Sequence, residues 1–120
     1  MQWNVEISVE FGVWWSRLSE NEQNDIAASA LLLSQCGPYL RFPHSSWVNS
    51  SKHRNMRELR VRSGGNPFCL LYGFEPKRVT ILLIGGTKGS KDRRYPAYIA
   101  RADRLYDDHL QEVDREAVQL

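Results

Sequence analysis

The chain has 120 residues, 42% of them hydrophobic, and sixteen Lys and Arg stand against fourteen Asp and Glu for a net charge of +2. That is enough chain for one domain, residues 1–120, with its own core and no need of disulfide staples. No apolar run approaches the ~20 residues of a membrane span, and Glu6 and Glu10 stand where a signal peptide would be basic, so a cytoplasmic protein with no membrane partner is expected. Cys36 and Cys69 sit in apolar surroundings without CxxC or His-rich spacing, which argues against a zinc or redox site.

Residues 2–11 alternate, with Trp3, Val5, Ile7, Val9 and Phe11 on one side and Asn4, Glu6, Ser8 and Glu10 on the other. This predicts a first strand with one wet face. Gly12 ends it, and residues 13–18 (VWWSRL) read as a short helical turn whose tryptophans cover the core rather than bind bases or sugars. Ser19-Glu20-Asn21-Glu22 matches the S-x-x-E capping box, and Ile26, Ala30 and Leu33 keep helical spacing up to the stop at Gly37-Pro38. Periodicity then disappears over residues 39–55, a Pro-, Ser- and Asn-rich basic stretch holding His44, Lys52, His53 and Arg54. A loop of that length in a small domain is expected to be functional.

Three apolar runs follow, separated by two turn-rich breaks. Over residues 56–62 Leu59 and Val61 fall on one face and Glu58, Arg60 and Arg62 on the other, so one face is expected to be core and the other charged. Ser63-Gly64-Gly65-Asn66 reverses the chain into residues 67–74, where Phe68, Leu70, Tyr72 and Phe74 share a face and Cys69, Leu71 and Gly73 point the other way. Glu75-Pro76-Lys77-Arg78 is a second turn, and residues 79–84 form a β-branched, nearly all-apolar strand expected to be covered on both faces.

Lys88, Lys91, Arg93, Arg94 and Tyr95 crowd one strand-to-helix junction, where Gly89 and Ser90 could cradle a phosphate, although GxxxxGK[ST] is absent. From Pro96 onward Ile99, Ala102, Leu105, Tyr106, Leu110, Val113 and Ala117 form the stripe of an amphipathic helix with an acidic opposite face. The element order predicts an α+β fold, helices packed on an antiparallel-rich sheet.

The charge is unevenly divided. Residues 41–94 hold twelve Lys and Arg and three acids, a net +9, while residues 1–40 carry −4 and residues 95–120 carry −3. Such a segment either pairs with the acidic helices or contacts a polyanion such as RNA. Interleaving with His44, His53, Tyr95 and Tyr98 favours contact with nucleic acid.

The phrases NMRELRVRSGGNPFCLLYGFEPKRVTILLIGGTKG and ADRLYDDHL resemble the RelE/HigB branch of bacterial type II toxins, in its phage-derived HigB-like group. The resemblance covers nearly the whole chain and implies a β-α-α-β-β-β core with a C-terminal helix. It also implies a ribosome-dependent endoribonuclease that cuts mRNA without a metal or other cofactor. The implied partners are the ribosome with its mRNA and a cognate helix-turn-helix antitoxin, with a homodimer or a toxin–antitoxin heterotetramer as the assembly.

In such chemistry a 2′-hydroxyl attacks the adjacent phosphate, and the enzyme takes a proton, stabilises the phosphorane and protonates the leaving 5′-oxygen. The resemblance places catalytic roles on Arg60, Arg94 and Tyr95, and His53, which precedes the strand, is a candidate acid or base because imidazole ordinarily changes charge near neutrality. Lys52, Arg54, Arg57, Arg62, Lys88, Lys91 and Arg93 are the expected RNA-binding cations of the basic segment. The chain departs from the family at two places. Phe68-Cys69 stands where relatives carry Tyr-Arg, and Glu58 stands where some carry lysine, which implies weakened or lost cleavage unless Glu58 serves as the base. The competing expectations are a ParE-like toxin that binds and inhibits a topoisomerase, and a relic that still binds its antitoxin.

Overall fold

Alternation in the middle of the chain becomes a three-stranded antiparallel meander. The computed structural model describes residues 2–87 and 92–118, with the side chains of the final helix as far as Asp114. Strand β3 (Arg57–Ser63) turns through Gly64 and Gly65, at φ 57° and 83°, into β4 (Asn66–Glu75), with Ser63 facing Asn66 across a two-residue turn. Positive φ at both central positions is what such a tight hairpin needs, and glycine supplies it without a Cβ clash. Strand β5 (Val79–Gly86) returns antiparallel to β4 and is buried along nearly its whole length, as its composition predicts.

The sheet has five strands because two more join its edges. β1 (Asn4–Ile7) lies parallel to β5, and β2 (Ser45–Trp47) lies antiparallel to β3, giving the order β1-β5-β4-β3-β2. The loop expected over residues 39–55 therefore contains a short edge strand. The expected strand over residues 2–11 is also corrected, since it stops at Ile7 and helix α1 (Val9–Ser16) begins where alternation had pointed to more strand. Ser8 is the cause. Its hydroxyl accepts from the Phe11 backbone N–H at 3.0 Å, capping the helix, and donates to the Leu83 carbonyl at 2.7 Å, tying that cap to β5. Ile7 and Val9, placed inward by alternation, are 51% and 87% exposed.

Helix α2 (Glu20–Cys36) starts at the expected capping box, with Ser19 and Glu22 each accepting from the other's backbone N–H. It gives way to a 3₁₀ turn, Gly37–Tyr39, at the Gly-Pro stop. Helices α1 and α2 cover one face of the sheet, where Phe11, Ile26 and Leu33 pack on Leu59, Val61, Phe68, Leu70 and Tyr72. The inward-facing residues expected of β3 and β4 are those in this layer.

The last helix, α3 (Tyr95–Val118), covers the opposite face, where Ile99, Ala102 and Tyr106 pack on Leu71, Ile81 and Leu83. It approaches β4 closely because position 73 is glycine: a Cβ there would lie 2.6 Å from the Tyr106 ring. This second layer corrects the expectation that the outer face of β3 is simply charged and wet. Glu58 on that face is only 4% exposed, lying under the start of α3.

Candidate active site

The outer face of β3 and β4 carries the groups from which a site can be built. Arg60 and Cys69 are directly opposite each other across the two strands, as the short hairpin and the alternation require. An open cleft of about 490 Å3 runs along them, lined by Pro43, His44, Arg60, Val61, Arg62, Pro67, Phe68 and Cys69. A second cleft, about 420 Å3, is lined by Trp47, Val48, Asn49, Ser50, Asp92, Arg93, Tyr95 and Pro96.

Glu58 joins the two. One carboxylate oxygen accepts from the Tyr95 hydroxyl at 2.5 Å, and the other accepts from Arg60 Nε at 3.2 Å. The Glu58 side chain is 5% exposed and that of Arg60 45%, so a buried carboxylate is paired with a guanidinium that reaches the solvent. A buried charge is costly unless it is paired and hydrogen-bonded, and this one is both.

The environment also fixes the protons nearby. Burial, and then the Glu58 carboxylate, push the Cys69 thiol up to about 11, so near neutrality it carries no charge. Burial and the hydrogen bond to Glu58 raise the Tyr95 phenol well above its usual value. Tyr95 therefore holds its proton and keeps Glu58 in place as a donor.

The expected site residues divide into those gathered here and those held elsewhere. Arg60, Arg62 and Tyr95 come together with Glu58 and Cys69 around the clefts, and Arg93 is exposed at the second. Arg94 is exposed beside Asp92, whose carboxylate accepts from its backbone N–H at 2.8 Å and lies 3.4 Å from its Nε. Arg54 is exposed on the loop before β3. Lys88 and Lys91, with the expected Gly-Ser phosphate cradle, lie outside the described residues.

His53 is not in this cluster. Its Nε2 lies 2.8 Å from Asp107 and its ring packs on Tyr106. Asp107 is twelve residues beyond Tyr95 on α3, or about 18 Å along the helix. Lys52 pairs with the same carboxylate, and chiefly that contact holds Asp107 below the usual carboxylate range. Part of the basic segment thus pairs with the acidic helix, the other use foreseen for it.

Arg57 is placed differently again. It is 6% exposed, donating from Nε to Ser45 at 2.8 Å and from its terminal nitrogen to the Leu40 carbonyl at 3.1 Å. Its guanidinium lies over the Trp47 ring, 4.3 Å from the centroid. Trp47 and Phe42 were missed by sequence reasoning, and both are exposed aromatics in contact with an arginine, Phe42 with Arg60 at 5.4 Å. Their only sequence signal is an aromatic residue within a basic loop, a weak one.

The family model for phage-derived Gp49-like proteins matches residues 13–107. A candidate toxin of Mycobacterium tuberculosis, HigB3, is 35% identical over 98 residues, covering 81% of this chain and 84% of its own. A second from that organism, HigB2, is 30% identical over 110 residues, covering 90% of this chain, which spans only about half (54%) of that relative's length. Among solved structures, the archaeal RelE–RelB complex from Pyrococcus horikoshii aligns with a TM-score of 0.56 at 16% identity, over 75% of this chain and 99% of that one. At that identity the likeness speaks for the fold alone. With most of its length inside the family match and a HigB relative aligned over most of both chains, the protein belongs to the phage-derived Gp49-like family, of HigB type.

Proposed function

We propose that the protein is the toxin of a type II toxin–antitoxin module and that it stops translation by cleaving mRNA on the ribosome. The observation that carries this reading is the Tyr95–Glu58–Arg60 chain of contacts opening on a cleft that Arg62 also lines. Glu58 is the base, taking the 2′-hydroxyl proton on the oxygen turned to Arg60. The exposed guanidinium of Arg60 meets the phosphoryl oxygens, where negative charge develops, and offsets the repulsion between phosphate and carboxylate. Tyr95, with its tightly held proton, positions Glu58 and does not act as an acid. The 5′-oxygen leaves into the open cleft, where water supplies its proton.

Phe42 and Trp47 suit single-stranded RNA, because unpaired bases stack on aromatic rings whatever their sequence. The partner expected to silence the toxin is an antitoxin, the role RelB's place in the archaeal RelE–RelB complex suggests. A groove of about 560 Å3 between α1 and α3, floored by Trp14 and Leu105 and edged by exposed Val9 and Val13, is a surface of the kind a partner covers.

A second reading rests on Cys69. A neutral thiol stands opposite Arg60 where relatives were expected to carry a second cation, so a toxin that binds message and antitoxin but cleaves slowly fits the same geometry. Primer extension on ribosome-bound message after induction separates the readings. Cleavage ends on the message support the nuclease, their absence with translation still blocked supports the slow form, and lost DNA supercoiling with translation intact points to a topoisomerase poison.

Arg60→Gln keeps a donor for Glu58 and removes the charge. It is expected to lower cleavage by about 10²–10³-fold and to relieve growth inhibition. An equally abundant, folded Arg60→Gln protein that is as toxic as the parent would remove Arg60 from the mechanism. Binding to single-stranded RNA is expected to weaken steeply with salt, with a log–log slope of about −0.7 for each phosphate neutralised. A flat salt dependence would contradict contact through the basic segment.

A further inference from the structure

We propose that Glu6, Glu75 and His109 form a binding site for one divalent transition-metal ion of the zinc class, joining β1, β4 and α3 at the end of the sheet remote from the cleft. Their ligand atoms all lie within 4.8 Å of one another, the one such group of three among the described residues. The three side chains come from positions 69 and 34 residues apart and meet only in the fold. The cluster is independent of the nuclease reading. Glu75 lies six residues beyond Cys69 on β4, about 20 Å along the strand.

Two of the ligands are held in place by the packing of α3 on β4. Gly73 lets the Tyr106 ring sit against β4, and the Tyr106 hydroxyl contacts both the N–H and the carbonyl of Phe74. Phe74 precedes Glu75, and His109 is about one helical turn beyond Tyr106. That clamp brings His109 Nε2 onto the Glu75 carboxylate, which is 8% exposed. Glu6, exposed on the edge strand β1, is free of such packing and can rotate inward.

The donor set selects the ion. An imidazole nitrogen with two carboxylates suits zinc and its first-row neighbours, whereas calcium and magnesium prefer oxygen alone. Tetrahedral ligands at about 2.1 Å from zinc lie about 3.4 Å apart, so the ion takes the place of the direct His109–Glu75 hydrogen bond, those two side chains parting as Glu6 closes in. A plain ion pair between His109 and Glu75 would leave the Glu6 carboxylate facing a second one, whereas a dication neutralises both. Three protein ligands leave a fourth position for water.

The experiment is a calorimetric titration of the metal-stripped full chain with zinc chloride, repeated with cobalt chloride by visible absorption. One ion per chain is expected, with affinity falling at least tenfold in Glu6→Gln, vanishing in His109→Ala, and unchanged in Asp108→Asn. Glu6 is exposed, so Glu6→Gln reports on the site without disturbing the packing of α3 on β4. Zinc binding that is unchanged in Glu6→Gln, or that survives His109→Ala, would overturn the proposal, as would failure of the parent to take up one ion per chain.

Discussion

Arginine in place of Cys69 is expected to raise cleavage of ribosome-bound message by about 10²–10³-fold, the effect of one added charge-stabilising donor. The residue lies directly opposite Arg60, lines the same cleft and is half-buried, so a longer side chain can leave along the cleft floor without entering the core. Glu58 supplies a counter-charge. It already perturbs the thiol, which places a carboxylate within interaction distance of the new guanidinium. A small stability change, within about 1 kcal/mol, is therefore expected rather than the larger loss of an unpaired buried charge. Thermal unfolding and primer extension on the same preparations check both halves. A folded Cys69→Arg protein that cleaves no faster than the parent would show that the second cation does not limit the reaction. The same result in a protein whose Arg60→Gln variant has also lost nothing would remove the whole cleft from the chemistry.

The register that supports this prediction was legible in the sequence. Strands β3 and β4 alternate cleanly and are joined by two glycines at positive φ, so a single pairing satisfies both the turn and the buried face. The capping box of α2 and the stripe of α3 were legible for the same reason, since local chemistry and burial agreed. They disagreed around Ser8. Alternation through Ile7, Val9 and Phe11 continued past the end of the strand, and only the tertiary bond from Ser8 to Leu83 decides that a helix starts there. The strand β2 was hidden because it has three residues and a single partner strand, too little for periodicity to register.

The site was legible only in part, because its elements are far apart in sequence. The outward direction of Arg60 follows from alternation, but the burial of Glu58 on the same face depends on Tyr95, 37 residues later, laying the start of α3 across it. His53 was read as a catalytic residue and Lys52 as an RNA-binding cation of a basic loop. Their partner, Asp107, sits on the acidic face of a helix that the loop gave no sign of meeting.

Arg57 is the case in which residue type pointed one way and packing another, and Arg57→Ala is expected to cost about 2–4 kcal/mol of stability while leaving the salt slope of RNA binding unchanged. As a cation in a +9 segment it was expected to meet phosphate. Pairing with Tyr72 and Trp47 in register instead puts it on the inward side of β3, where Ser45 and the Leu40 carbonyl take its hydrogen bonds and Trp47 covers it. Ser45 also shares a hydrogen bond with Tyr72, a fully buried residue, so the guanidinium belongs to a polar network set into the core edge. Truncation leaves the Leu40 carbonyl without its donor and opens a space beneath Trp47, and a buried acceptor left unsatisfied costs about 1–3 kcal/mol by itself. The melting temperature is expected to fall by about 10 °C. If Arg57→Ala melts with the parent and binds RNA with a shallower salt slope, then the guanidinium is reaching a phosphate, and the loop carrying Trp47 must open to let it out.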